Sequence, residues 1–272
     1  MHLQRSIALV ATALICSMLV GRSIASDTSA ALGGVALGAS IETASAVYPQ
    51  GKLTKVGSIS ILRWDRPDGG RLTAYSDYLG DVWQVRFDGA ISERGTLQLP
   101  CAGQFDVTSS HVNFEYAAES LHCKRPSSSD NTYTLPDGAV TTVAFFGPGD
   151  GALQTAVLAA TGIPSTWPDM PSVGQSSCAV PNREAGVLHR ANLQFSERSF
   201  GRVAAGTLTR IQVVVLLGPD GRVKRASMWT SSGNDELDDG AIAAVQQSTY
   251  RPKLSACTPT YGIYLFPYVV AE

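Results

Sequence analysis

Residues Val213–Gly233 read VVVLLGPDGRVKRASMWTSSG, and the order of the parts in this stretch decides the fold. In the strand leading into it, Thr209, Ile211, Val213, Val215 and Leu217 share one face, which is built for burial, while Val214 and Leu216 indicate partial cover on the other face. Gly218-Pro219-Asp220-Gly221 then turns the chain. Proline presets φ, the aspartate accepts from nearby main-chain N–H groups, and Gly221 tolerates the positive φ of a bulged hairpin. Residues 222–230 return as a second strand, and Ser231-Ser232-Gly233 breaks it. Asn234 or Asp235 is placed to cap a helix whose first turn carries Glu236, Asp238 and Asp239 at the positive end of the helix dipole. Leu237, Ala241, Ala244, Val245 and Ser248 follow at helical spacing, and Pro252 ends the element. The last apolar run, YGIYLFPYVV (261–270), predicts a third strand beside the first, in the sheet order second, first, third.

Gly206, Gly218 to Val223, Ser231 to Gly233, Leu237, Asp238, Ala241, Tyr250, Pro252 and Gly262 to Tyr264, in this order and spacing, resemble the C-terminal domain of the TonB family, whose members couple the inner membrane to outer-membrane transporters. The resemblance covers about residues 178–272. It implies a ββαβ domain with a three-stranded antiparallel sheet and one packed helix, with no catalytic group and no cofactor. The implied partner is a peptide, the short N-terminal box of an outer-membrane transporter, added to the sheet as an extra strand. Tyr261, Ile263, Tyr264, Leu265, Phe266 and Tyr268 are the expected partner-binding residues; main-chain pairing would give affinity, and side chains such as Tyr264 and Phe266 selectivity. Pro267 removes one donor and shortens any added ladder. Inner-membrane partners are left unnamed. The chain departs from the energy-transducing layout of the family: His2 lies ahead of the apolar run, and a folded region stands where a proline-rich spacer would be.

Upstream, the chain is built to bury a core, with 44% hydrophobic and 16% charged residues over 272 positions. A formal charge of −2, with no long run of either sign, excludes the electrostatic footprint of a nucleic-acid or polybasic membrane binder. The first residues combine Arg5, an apolar run of about fourteen residues from Ile7, and Ser23-Ile24-Ala25, short of the roughly 20 residues that cross a bilayer. This favours a cleaved secretory leader over 1–25 and a periplasmic or secreted protein; without cleavage the same segment anchors it to the inner membrane.

Residues 26–162 are expected to form a β-rich α+β domain, 163–177 a Pro/Ser linker carrying Pro164, Pro168 and Pro171, and 178–272 the C-terminal domain. Within the first, Ser40 precedes a short helix with Ile41, Ala44 and Val47 on one face. Trp83, Val85 and Phe87, and Val112, Phe114 and Tyr116, mark alternating strands, with turns at Pro67 to Gly70 and Pro136 to Gly138. ALQTAVLAATG (152–162) is expected to be a second short helix.

Cys101, Cys123, Cys178 and Cys257 remain after the leader, an even number that favours disulfides over metal ligation. Of the three pairings, Cys101 with Cys123 and Cys178 with Cys257 is preferred, because each pair then lies within one domain. His122-Cys123 with Cys101 lacks a fourth ligand at a zinc spacing, and no G-x-S-x-G elbow supports a hydrolase, so no metal or catalytic residue is assigned. Trp64, Trp83, Trp167 and Trp229 read as core or rim residues, and Asp238 and Asp239 as helix-start charges.

Overall fold

The computed structural model describes residues 30–66, 70–89, 96–99, 103–106, 127–129, 132–137, 140–146, 153–165, 167–168, 178–196 and 209–270. Among these, the chain is mostly strand with two helices, the α+β class expected from the sequence. Strands β1 (Ala31–Leu32) and β2 (Val35–Ala36) precede helix α1 (Ile41–Val47). Then come β3 (Lys52–Val56), β4 (Ile59–Asp65), β5 (Arg71–Ser76), β6 (Val82–Asp88), β7 (Thr96–Leu99), β8 (Gly103–Asp106), β9 (Ser127–Ser129), β10 (Thr132–Asp137), β11 (Val140–Phe146) and β12 (Leu153–Ala160). The remainder holds β13 (Gly186–His189), β14 (Thr209–Leu217), β15 (Val223–Thr230), helix α2 (Asp235–Gln247), β16 (Thr249–Arg251), β17 (Lys253–Ser255), β18 (Thr258–Thr260) and β19 (Gly262–Val270).

An eight-stranded sheet in the order β3-β4-β5-β6-β12-β11-β10-β9 is covered on both faces around its centre. One face carries Leu62, Leu72, Ala74, Val85, Phe87, Ala156 and Leu158, buried beneath Leu32 and Val35 and beneath Ile41 and Ala44 of α1. The other carries Ile59, Ile61, Tyr75 and Trp83, which share a core with α2, β14 and β15. Two-sided burial explains why these strands depart from simple apolar–polar alternation. Trp83 does not share a face with Val85 and Phe87 as the alternation predicts: a register shift between Tyr75 and Ser76 turns it into the opposite core.

Residues 153–160 correct the helix expected there. They form β12, paired antiparallel with β6 and β11, and send Ala156 and Leu158 into one core and Ala159 toward the other. A short apolar run has no periodicity that separates helix from buried strand, and the neighbouring strands decide the matter. Helix α1 forms as read, with Ser40 accepting from the Thr43 N–H, but Val47 is exposed rather than on the buried face. The strand around Val112 to Tyr116 and the turn at 67–69 lie outside the described residues. Pro136 and Asp137 belong to the end of β10, opposite Thr141 and Val140.

The C-terminal sheet runs β15-β14-β19, both pairings antiparallel, as the opening stretch predicts. Ile211, Val213, Val215 and Leu217 are fully buried against Leu237, Ala241, Ile242 and Val245 of α2; each such aliphatic is worth about 1.5–3 kcal/mol against exposure. Gly221 has φ 73°, and a Cβ there would stand 2.7 Å from the Tyr250 carbonyl, so the turn admits only glycine. Asn234 caps α2, accepting from the Glu236 N–H at 3.0 Å. The sequence did not announce β13 with β16, or the β17–β18 hairpin whose tip, Ala256 and Cys257, has φ of 47° and 65°. Cys178 and Cys257 form the expected disulfide, with a Cα–Cα distance of 5.8 Å; Cys101 and Cys123 lie outside the described residues.

Candidate functional site

The C-terminal sheet has two rims with different fates. At β15, Tyr78 N–H donates to Lys224 O at 3.0 Å, and Asp77 bridges to Arg225 in antiparallel fashion. Arg225 is buried between Trp83 and Trp167, its guanidinium 5.6 and 4.9 Å from the two rings, and donates to the Ala160 and Gly162 carbonyls at 2.9 Å each. Burial lowers its pKa from the usual arginine range, partly opposed by the Asp77 charge. Trp167, expected in an extended linker, is only 3% exposed and donates its indole N–H to Asp77 at 3.3 Å. The β5–β6 connection and the start of the 163–177 segment therefore cover the β15 rim at Lys224 and Arg225.

Helix α2 is fastened to the eight-stranded sheet at both ends. Near its start, Arg63 meets Asp239 at 2.5 Å and Asp235 at 3.4 Å, and Arg71 meets Asp235 at 2.5 Å. Near its end, Gln246 accepts from the Ser58 N–H at 2.8 Å and donates to Val56 O at 2.7 Å. Asp238 turns back instead, accepting from the Ser231 hydroxyl at 2.5 Å and from the Ser232 N–H at 2.9 Å. This ties the Ser-Ser-Gly break to the Leu-Asp pair of the helix and gives that sequence pairing a physical reason. Burial raises the Asp238 pKa, opposed by these serine bonds.

Strand β19 ends the three-strand order, and among the described residues no strand or main-chain hydrogen bond occupies its outer rim. Its side chains alternate: Tyr264, Phe266 and Tyr268 turn toward the core, while Ile263, Leu265 and Val269 are 64, 43 and 62% exposed. Pro267, opposite Gln212, has no N–H to give the ladder and sits where main-chain polar groups turn away from β14. The register runs unbroken from Thr209–Val270 to Leu217–Gly262, so by the same two-residue period Ile263, Leu265 and Val269 carry outward N–H and C=O groups. Among the described residues the rim is thus an apolar row of outward main-chain donors without a partner strand, interrupted once.

A strap over 190–196 borders the core side of this rim. Arg190 donates to the Pro267 carbonyl and lies over Phe266 at 4.4 Å and Tyr268 at 5.1 Å. The Ala191 N–H donates to the Ser248 hydroxyl at 3.0 Å, and the Ser196 N–H to Glu236 at 2.8 Å, so the strap runs the length of α2.

Of the residues named from sequence, Ile263 and Leu265 stand on the rim, and Tyr264 is half-buried beside them. Phe266 is fully buried and Tyr268 nearly so; their rings shape the inner wall and do not reach solvent as selectivity groups. Tyr261 lies off the strand, its ring 5.7 Å from Trp167. Val269 continues the exposed row by the period-two pattern, whereas no spacing in the sequence announces Arg190.

Among the described residues no group of three or more His, Cys, Asp or Glu is gathered as a metal site, and no helix is long and apolar enough to cross a membrane. His189 is exposed on β13. No curated protein and no solved structure is significantly similar to the chain. Residues 203–269, which contain β14, β15, α2 and β19 apart from the final residue of β19, match the family model described as Gram-negative bacterial TonB protein C-terminal, and in this part the chain is similar to a TonB-type C-terminal domain.

Proposed function

We propose that the chain is a TonB-like envelope protein that binds an extended partner peptide by adding it to β19, in support of transport across the outer membrane. One observation carries this reading. The β15 rim is occupied at Lys224 and Arg225 by the protein's own β5–β6 connection, while the β19 rim has outward main-chain groups and no covering strand among the described residues. Main-chain pairing at Ile263 and Leu265 supplies the affinity, and the apolar row they share with Val269 supplies side-chain contact. The partner class is the N-terminal segment of an outer-membrane transporter. A cleaved leader over 1–25, a periplasmic location and a division of the chain at 163–177 complete the proposal.

The test is amide hydrogen exchange on the full chain with synthetic transporter N-terminal peptides. Protection of the Ile263 and Leu265 amides on addition of peptide supports edge addition. Binding without protection there, or no binding by any such peptide, refutes it.

The packing of α2 and β15 onto the eight-stranded sheet favours a second reading, in which the TonB-type part serves as a fixed scaffold within a larger binding module. Limited proteolysis at 163–177 separates the two. Release of a folded C-terminal fragment that still binds peptide favours the first, and loss of the fold on cleavage the second.

A further inference from the structure

The 190–196 strap belongs to no sheet, although it lies extended along α2. Among the described residues it is fastened by Arg190 on the Pro267 carbonyl, by the Ala191 N–H on the Ser248 hydroxyl at 3.0 Å and by the Ser196 N–H on Glu236 at 2.8 Å. Ala191 and Leu193 turn into the core, while Arg190, Asn192, Gln194, Phe195 and Ser196 are exposed. A segment without a ladder, held largely by side-chain acceptors, belongs to the part of a fold that opens first.

The bed beneath the strap is shaped for a main chain. Gly240 stands in the middle of α2, where glycine weakens a helix, and a Cβ there would overlap the Gln194 carbonyl and come within 3.6 Å of the Leu193 side chain. The helix gives up a side chain at the point where an extended chain lies against it. At the other end, the Phe266 and Tyr268 rings, stacked at 5.0 Å, lie under the Arg190 guanidinium. The Tyr268 hydroxyl is buried there and meets no hydrogen-bond partner, so the strap fills its bed without matching it fully.

We propose that the strap is an autoinhibitory cover. It fills in cis a groove along α2, from Gly240 to the Phe266 and Tyr268 rings, that takes an extended partner segment of the same pattern: a cation, a small residue, any residue and a leucine. The strap lifts as a unit, α2 and the β15-β14-β19 sheet stay folded, and the partner segment lies in its place, with a carbonyl turned to the Tyr268 hydroxyl. The groove is on the core side of β19, and the proposal holds whether or not the outer rim takes a strand. Because the strap is tethered, it competes at an effective concentration on the order of a millimolar, and only a better-matched segment displaces it.

The experiment uses the full chain and a labelled, blocked peptide copying residues 190–196. The double variant Arg190→Ala, Leu193→Ser weakens the strap and leaves its bed intact. By fluorescence anisotropy it takes up the peptide about ten-fold more tightly than wild type, whose own strap competes. Gly240→Ala added to the double variant puts a methyl group in the bed and abolishes uptake. In wild type, the Ala191 and Ser196 amides exchange together, faster than those of Val213 and Val215, at a rate that low urea leaves unchanged.

No uptake by the double variant, with its Ala191 amide exchanging freely, shows that the vacated groove takes no segment and overturns the proposal. Uptake that survives Gly240→Ala places the peptide elsewhere and overturns the site. Ala191 and Ser196 amides that exchange only in step with Val213 and Val215 make the strap a fixed part of the fold and overturn the cover.

Discussion

Breaking the Cys178–Cys257 bond measures how firmly the approach to β19 is built. The bond spans a sequence separation of 79 and joins the segment entering β13 to the tip of the hairpin that leads into β19. Closing a loop of that length lowers the entropy of the unfolded chain by about 4.5 kcal/mol at room temperature on the chain-entropy model. Opposing this, Ala256 and Cys257 adopt left-handed backbone at φ 47° and 65°, at roughly 1 kcal/mol each. Cys257→Ser loses the cross-link and keeps the strain, since the 257 N–H still donates to Pro181 O at 2.7 Å and the Ala256 N–H to Asn182 Oδ1 at 3.0 Å. Cys257→Gly loses the cross-link but relieves part of the strain. With about 2–4 °C of melting temperature per kcal/mol, Cys257→Ser melts about 9–18 °C below wild type in non-reducing buffer. The glycine variant recovers about 2–4 °C of that loss. Cys178→Ser matches Cys257→Ser, and the double variant is no worse, because all three remove one bond. Circular dichroism melts with a free-thiol titration are the assay. A serine variant within about 2 °C of wild type, with the wild-type bond verified as formed, refutes the reasoning.

Arg63→Met leaves Asp239 without its cation beneath the eight-stranded sheet; Asp235 keeps Arg71 and is partly solvated, so the loss is about 2–3 kcal/mol rather than the full value for a buried pair, read by urea unfolding. A change below about 0.5 kcal/mol would show that the contact is not formed. Gly240→Ala sets helix propensity, which favours alanine by up to about 1 kcal/mol, against overlap of the new Cβ with the Gln194 carbonyl of the strap. Net destabilisation and faster exchange of the Ala191 amide are expected; a stabilised protein with an unmoved strap contradicts this. Asp238→Asn tests a sign. Burial raises the Asp238 pKa above 3.8, so the native state holds the proton to higher pH than the unfolded chain. As pH falls from neutral through that raised pKa toward 3.8, wild type gains stability relative to the asparagine variant, and the gain is complete below 3.8. A relative loss of wild type over the same window, followed by thermal melts, is the contrary result.

The C-terminal sheet was legible because each local signal agreed with the next: alternation in β14, a turn that requires Gly221, an Asn234 cap, and small residues on the buried face of α2. The 153–160 run is ambiguous in sequence because Ala, Leu and Val serve a helix face and a doubly buried strand equally well, and only β6 and β11 resolve it. Trp83 went to the unexpected core because a bulge shifts register without a glycine or proline to mark it. At the site, exposure of Ile263 and Leu265 follows from the strand period, whereas the burial of Phe266 does not show in the sequence, because an aromatic in an apolar run gives no sign of which side it faces. Arg190 reaches the rim from far along the chain through the fold, and no pattern in its neighbourhood encodes that.

Asp77 and Tyr78, with Trp167 behind them, occupy the Lys224–Arg225 end of the β15 margin, and this bears on assembly. A three-stranded ribbon open on both sides is a link in a chain, able to pass strand pairing from molecule to molecule without end. Here the Lys224 end of one margin is already engaged by the protein's own loop, so a visiting strand finds a full-length margin only at β19, and growth from molecule to molecule is held back.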